Sequence, residues 1–221
     1  TVATNPQTYF FSDDEDHFVT REGQGADTEA VMLGYNNRDN WTYAVETSLA
    51  FGGATQTFTL YSDWTAERPA STNYTTEFGS NSNAYYRGAL YVPFGASIVL
   101  DLKGHTLNRN LAQSETRADG YVIYVLGELI IRDDPNADDD TAGIGTITGG
   151  ASRNTAGGIV VGTGGNVYLE DGEISGNYAG FAAGSAGGVY VEGSENTHFV
   201  MTGGAVKDNR GYDAGGVYVD N

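Results

Sequence analysis

Carboxylates are the most plentiful reactive groups in this chain. Of its 221 residues 29 are Asp or Glu and 11 are Lys or Arg, a formal net charge of −18 with His neutral. Paired carboxylates can act as acid and base on a glycosidic bond, and clustered ones can hold a hard cation such as calcium. One cluster runs from Arg132-Asp133-Asp134 to Asp138-Asp139-Asp140. It makes calcium the one cofactor the sequence suggests, although a spaced Asp-x-Asp-x-Asp-Gly order is missing and a solvated acidic loop is the simpler reading. Asp101, Asp133 and Asp171 follow or interrupt short apolar runs, where a hydrolase on a repeating scaffold would carry its acids. Asp133 and Asp171, however, fall where a run enters a turn, and there capping is the commoner task. Arg132 is the nearest approach to the base of a calcium-dependent polyuronate lyase, and no other segment supplies a matching row of acids. His17, His105 and His198 are scattered and cysteine is absent, so neither a metal set nor a triad can be assembled. No residue is assigned a catalytic role.

The same charge excludes whole classes of partner. A −18 chain repels a phosphate backbone, which excludes nucleic acid, and is equally repelled by an anionic membrane surface. Nowhere do apolar residues run for the ~18 positions that membrane insertion of a helix needs. The absence of cysteine also removes disulfides as a source of stability.

What positions these side chains is a repeat. Gly157-Gly158-Ile159-Val160-Val161, Gly187-Gly188-Val189-Tyr190-Val191 and Gly215-Gly216-Val217-Tyr218-Val219 are three copies, with weaker ones around Leu90 and Ile123. Each but the last is followed by a second apolar run (Ile98 to Leu102, Leu129 to Ile131, Val167 to Leu169, Phe199 to Met201). A third, shorter run comes behind glycine (Thr106-Leu107, Thr146-Ile147, Glu173-Ile174, Ala205-Val206). Three short β-rich segments per unit of about 30 residues, with no helical spacing, cannot each build a core. Stacked copies can, by pairing each segment with its equivalent one coil on. The expected fold is all-β: a right-handed parallel β-helix, a solenoid with three strands per coil.

Two columns of side chains follow from the stacking. Asn110, Asn177 and Asn209 each come three residues after the apolar residue of a third strand. They are read as a structural ladder at one corner, interrupted in the remaining coil by Gly150. Period-2 alternation turns Tyr91, Tyr124, Tyr190 and Tyr218, with Val160 between, to the outside of the first strands. An exposed aromatic strip of this kind would be the candidate ligand-binding feature, suited to sugar faces or to another protein.

Asp39-Asn40 followed by Trp41 to Leu49 predicts a short capping helix with Trp41, Val45, Ser48 and Leu49 on one face, ended by Gly52-Gly53. Residues 1–40 are expected to form an arm or cap segment and 41–221 the β-helix domain, with residues 62–87 as an insertion. The sequence stops just after a first strand, so the expectation is a repeat cut mid-coil. End-to-end self-association is then possible through the uncovered valines Val217 and Val219.

The Trp-x-x-Ala-Val helix, Thr59-Leu60-Tyr61-Ser62-Asp63-Trp64, Leu100-Asp101-Leu102-Lys103-Gly104-His105-Thr106-Leu107 and the Gly-Gly-Val-Tyr-Val units together resemble the pectate-lyase-like, adhesin-like surface proteins of gut and rumen bacteria. The resemblance covers roughly residues 41 to 221. It implies a secreted or wall-attached, extracellular protein of several modules, without demonstrated catalysis and with a glycan or a surface protein as partner. A polysaccharide-degrading lyase or glycoside hydrolase on the same fold, and a structural spacer, are the rival readings.

Overall fold

The computed structural model describes residues 7–10, 37–60, 62–66, 89–111, 120–134, 143–180 and 183–220. Strand β1 (Gln7–Phe10) and helix α1 (Asn37–Ala50) precede a first coil made of β2 (Gln56–Thr59) and β3 (Trp64–Thr65). The second coil holds β4 (Leu90–Val92), β5 (Ser97–Asp101) and β6 (Thr106–Asn108). The third holds β7 (Ile123–Val125), β8 (Glu128–Arg132), β9 (Thr146–Thr148) and β10 (Ala151–Ser152). The fourth holds β11 (Ile159–Val161), β12 (Asn166–Leu169), β13 (Glu173–Ser175) and β14 (Tyr178–Ala179). After these come β15 (Val189–Val191), β16 (His198–Met201), β17 (Ala205–Lys207), β18 (Arg210–Gly211) and β19 (Val217–Val219).

Every strand pairs in parallel with its equivalent in the neighbouring coil. This gives a six-stranded sheet β1-β2-β5-β8-β12-β16 and two five-stranded sheets, β4-β7-β11-β15-β19 and β3-β6-β9-β13-β17. The chain is thus an all-β parallel solenoid with a capping helix. The registers match the expected ones: Ile123, Ile159, Val189 and Val217 stack in one file, and Leu107, Ile147, Ile174 and Val206 in another. Inward residues of all three sheets form one continuous core, from Phe58 and Leu60 to Val189 and Val191.

A fourth sheet, β10-β14-β18, has strands only two residues long and was not expected. It explains the first glycine of the pair in two coils. The fourth side runs directly beneath the approach to each first strand, and a Cβ on Gly157 would lie 2.5 Å from the Tyr178 backbone, one on Gly187 2.4 Å from Arg210 N. Only a residue without a side chain fits there.

Helix α1 begins four residues earlier than the sequence suggests and buries Trp41, Ala44, Val45 and Ser48, an i, i+3, i+4, i+7 face. Leu49, expected on that face, is 43 % exposed, and Ala44 takes the buried place. The helix ends in a Schellman arrangement: Gly53 N–H donates to Ser48 O at 2.8 Å and Gly52 N–H to Leu49 O at 3.1 Å, with both glycines at positive φ. Trp41 meets Phe58 edge to face at 5.4 Å, and its Nε1 donates to Tyr91 O. Residues 64–65, expected inside the insertion, instead complete the first coil as β3, because Trp64 fills the place of Leu107 one coil on. Residues 67–87 of the insertion lie outside the described residues. Strand β1, inside the expected arm, continues the six-stranded sheet in register with β2.

Candidate functional site

Turns and corners of the solenoid take up several of the described polar groups that the sequence offers for chemistry. Asp133 is buried, and its two oxygens accept from Gly104 N–H at 2.6 Å and Gly145 N–H at 2.7 Å. Both oxygens already hold backbone donors, an arrangement that fits a structural bridge between turns. Asp101 Oδ1 accepts from Lys103 N–H at 3.1 Å and Asp134 N–H at 3.3 Å. Burial nevertheless lifts the Asp101 carboxyl above the ordinary aspartate range, because desolvation of the charge outweighs these bonds. Asp171 accepts from Gly172 N–H, and Glu173 pairs with Lys207 Nζ at 2.6 Å. Among the described residues no three His, Cys, Asp or Glu converge to hold a metal. Asp138, Asp139 and Asp140 lie outside the described residues.

Asp133, Asp171 and Glu173 do share one feature, an open depression of about 460 Å³ at the corner between the six-stranded sheet and the β3-β17 sheet. Gly172, Gly204 and the exposed Ile144 also line it.

Asn177 and Asn209 bond coil to coil. Asn177 Nδ2 donates to Ile147 O at 3.0 Å, and Asn209 Nδ2 to Ile174 O at 2.7 Å. The file stops at Gly150, whose N–H donates to Asn177 Oδ1 at 3.0 Å but which has no side-chain amide to pass it on. Asn110 stands differently. One additional residue, Arg109, follows its third strand, so Asn110 (φ 59°) takes the left-handed corner position held by Gly149, Gly176 and Asp208 in other coils. Its amide donates to Ala66 O instead. Arg109 itself is fully buried and donates to Tyr121 O at 3.0 Å, a placement for which the sequence carries no signal.

The tyrosine column forms in the expected register, but not as an exposed strip. Val160 is 1 % and Tyr190 8 % exposed, and both join Ala89, Tyr121 and Ala156 in a second apolar cluster. The rings face one another. Tyr91 stacks on Tyr124 at 6.0 Å, and Tyr190 on Tyr218 at 5.9 Å with planes 6° apart. Stacking within the column uses ring faces that a sugar would need. The Tyr190 hydroxyl donates to Asp220 at 2.7 Å, and burial with that carboxylate raises its pKa.

A face that sequence reading passed over is more open. Along the outside of the six-stranded sheet Val99, Ile130, Tyr168 and Val200 stand in one file. Val99 is covered, Ile130 and Tyr168 are half-buried, and Val200 is 38 % exposed. On one side of this ridge lies a polar row: Ser97 Oγ donates to Glu128 at 2.7 Å, and Asn166 Oδ1 meets His198 Nδ1 at 2.9 Å. On the other lie Asp101, Arg132 and Glu170, the last two paired at 2.7 Å. The alternation that turned Val189 and Val191 inward also put these apolar residues outside, which was the available signal.

Compared with protein-family models, with curated proteins and with solved structures, the chain finds no match in any of the three.

Proposed function

We propose that the chain is a non-catalytic module of a bacterial cell-surface protein of the adhesin-like kind its motifs resemble, presenting a solenoid face to a glycan or to another surface protein. The observation that carries this reading is the open three-row face over β8, β12 and β16, an apolar ridge between two rows of hydrogen-bonding groups. The state of the carboxylates supports the non-catalytic part. Asp133 and Asp101 already accept two backbone N–H bonds each, and Glu173 is paired with Lys207. A general acid or base needs its oxygen within reach of substrate and free to exchange a proton.

The corner depression with Asp133, Asp171 and Glu173 favours a second reading, a polysaccharide-degrading enzyme. Incubation with plant and host polysaccharides, with and without calcium, separates the two. The binding reading predicts retention of the chain on at least one polysaccharide or surface protein, with neither new reducing ends nor unsaturated products. Product formation abolished by Asp171→Asn would establish the enzyme instead.

A further inference from the structure

We infer that the outer face of the six-stranded sheet, across Glu128–Arg132, Asn166–Glu170 and His198–Thr202, is a binding site for an uncharged glycan laid along the solenoid axis. The inference rests on the binding reading above and assigns it a place and a ligand class.

Three properties of the face select that ligand. The first is its cross-section. Ile130, Tyr168 and Val200 are stacked in register, so they make a ridge one side chain wide that runs from coil to coil. Successive coils are ~4.8 Å apart, and the three residues mark out a strip roughly 10 Å long. A protein partner needs on the order of 800 Å² per side with a contiguous apolar centre, which a single file of half-buried residues does not supply. A sugar chain is itself narrow and amphipathic, with C–H faces that lie on apolar or aromatic side chains and hydroxyls along its edges.

The second property is the arrangement of polar groups. Glu128, Asn166 and His198 line one edge of the ridge, and Arg132 and Glu170 the other. These are mixed donors and acceptors, matched to hydroxyls that both donate and accept. Their geometry is held in advance: Ser97 fixes Glu128, Asn166 fixes His198, and Arg132 and Glu170 fix each other. Groups held before binding lose little freedom when a ligand arrives.

The third property is charge. Within the site Glu128 and Glu170 stand against Arg132, two carboxylates to one guanidinium, and the whole chain carries −18. A polyuronate or sulfated chain would be repelled, leaving the uncharged polysaccharides.

The tyrosine column offers less, because its rings stack on each other and Tyr190 is covered. The two faces therefore make opposite predictions. Binding of the whole chain to soluble xyloglucan, mixed-linkage β-glucan, galactomannan and polygalacturonate is measured by affinity electrophoresis and calorimetry. The variants are Tyr168→Ala, Glu128→Gln and, on the other face, Tyr218→Ala, each checked by its thermal midpoint. The expected result is binding to at least one uncharged polysaccharide and none to polygalacturonate. Affinity should fall about tenfold in Tyr168→Ala, fall less in Glu128→Gln, and hold in Tyr218→Ala. Loss in Tyr218→Ala with retention in Tyr168→Ala would overturn the assigned face while leaving the binding reading standing. Preference for polygalacturonate would overturn the ligand class. If no glycan binds, this inference fails; if in addition no surface protein binds, the binding reading fails with it. Should Tyr168→Ala lower the thermal midpoint markedly, Tyr168→Phe and Ile130→Thr replace it, with the same outcomes deciding.

Discussion

Asn177 and Asn209 are joined twice across one coil step: Asn209 Oδ1 accepts the backbone N–H of Asn177 at 2.9 Å and its Nδ2 at 3.1 Å. Asn177 is fully buried, and its own Oδ1 accepts from Gly150. Removing the Asn177 side chain leaves the Gly150 N–H and the Ile147 carbonyl short of partners in a dry corner. An unsatisfied buried group costs about 1–3 kcal/mol. Asn177→Ala should therefore destabilise by roughly 2–4 kcal/mol in denaturant titration, and Asn209→Ala, at a more exposed coil, by less.

The paired glycines give a sharper contrast. A Cβ on Gly187 would meet Arg210 N at 2.4 Å and Gly215 O at 2.8 Å, whereas one on Gly216 would meet nothing within 4 Å. Overpacking against backbone typically costs 1–3 kcal/mol or more. Gly187→Ala should lower the thermal midpoint by several degrees, and Gly216→Ala should leave it nearly unchanged.

Much of this was readable because the repeat specifies its own register. Gly-Gly-Val-Tyr-Val fixes both the turn and the alternation, and once Val189 faces inward its neighbours follow. What escaped is of three physical kinds. Two-residue strands such as Tyr178–Ala179 have no periodicity to detect. Asp133 takes its partners from Gly104 and Gly145, 29 and 12 residues away, and nothing local announces such a bridge. Alternation says on which side of a strand Tyr190 lies, but not that Tyr121 and Ala156 come to lie over the same column. The single additional residue before Asn110 is the same lesson at a corner: spacing counted from Leu107 matched, while the backbone did not.

Asp133→Ala should destabilise by about 2–4 kcal/mol, since two amide donors lose their only carboxylate acceptor. Asp133→Asn, which keeps one acceptor and turns an NH₂ toward the other amide, should fall between wild type and Ala. Denaturant midpoints of the three proteins at pH 7 check the order.

Asp101 supplies a pH dependence of defined sign. Its folded pKa lies above the ordinary aspartate value of 3.8, so the folded state favours the protonated acid. The stability this group contributes is fully present below pH 3.8 and is lost as pH rises through its raised folded value. Asp101→Asn keeps an acceptor for Lys103 N–H without the buried charge. It should match wild type in thermal midpoint at pH 3 and be equal or slightly higher at pH 7. A lower midpoint at pH 7 would mean that the two amide bonds outweigh desolvation.

Hydrogen exchange read by mass spectrometry sees every face of the solenoid at once and shows which one meets ligand. With the best-bound uncharged polysaccharide from the panel added in excess, slowed exchange is predicted in peptides spanning 128–132, 166–170 and 198–202, with no change at 89–92, 121–125, 189–191 and 217–219. Protection confined to the second group, or absent from both while binding is saturated, would contradict the proposed site.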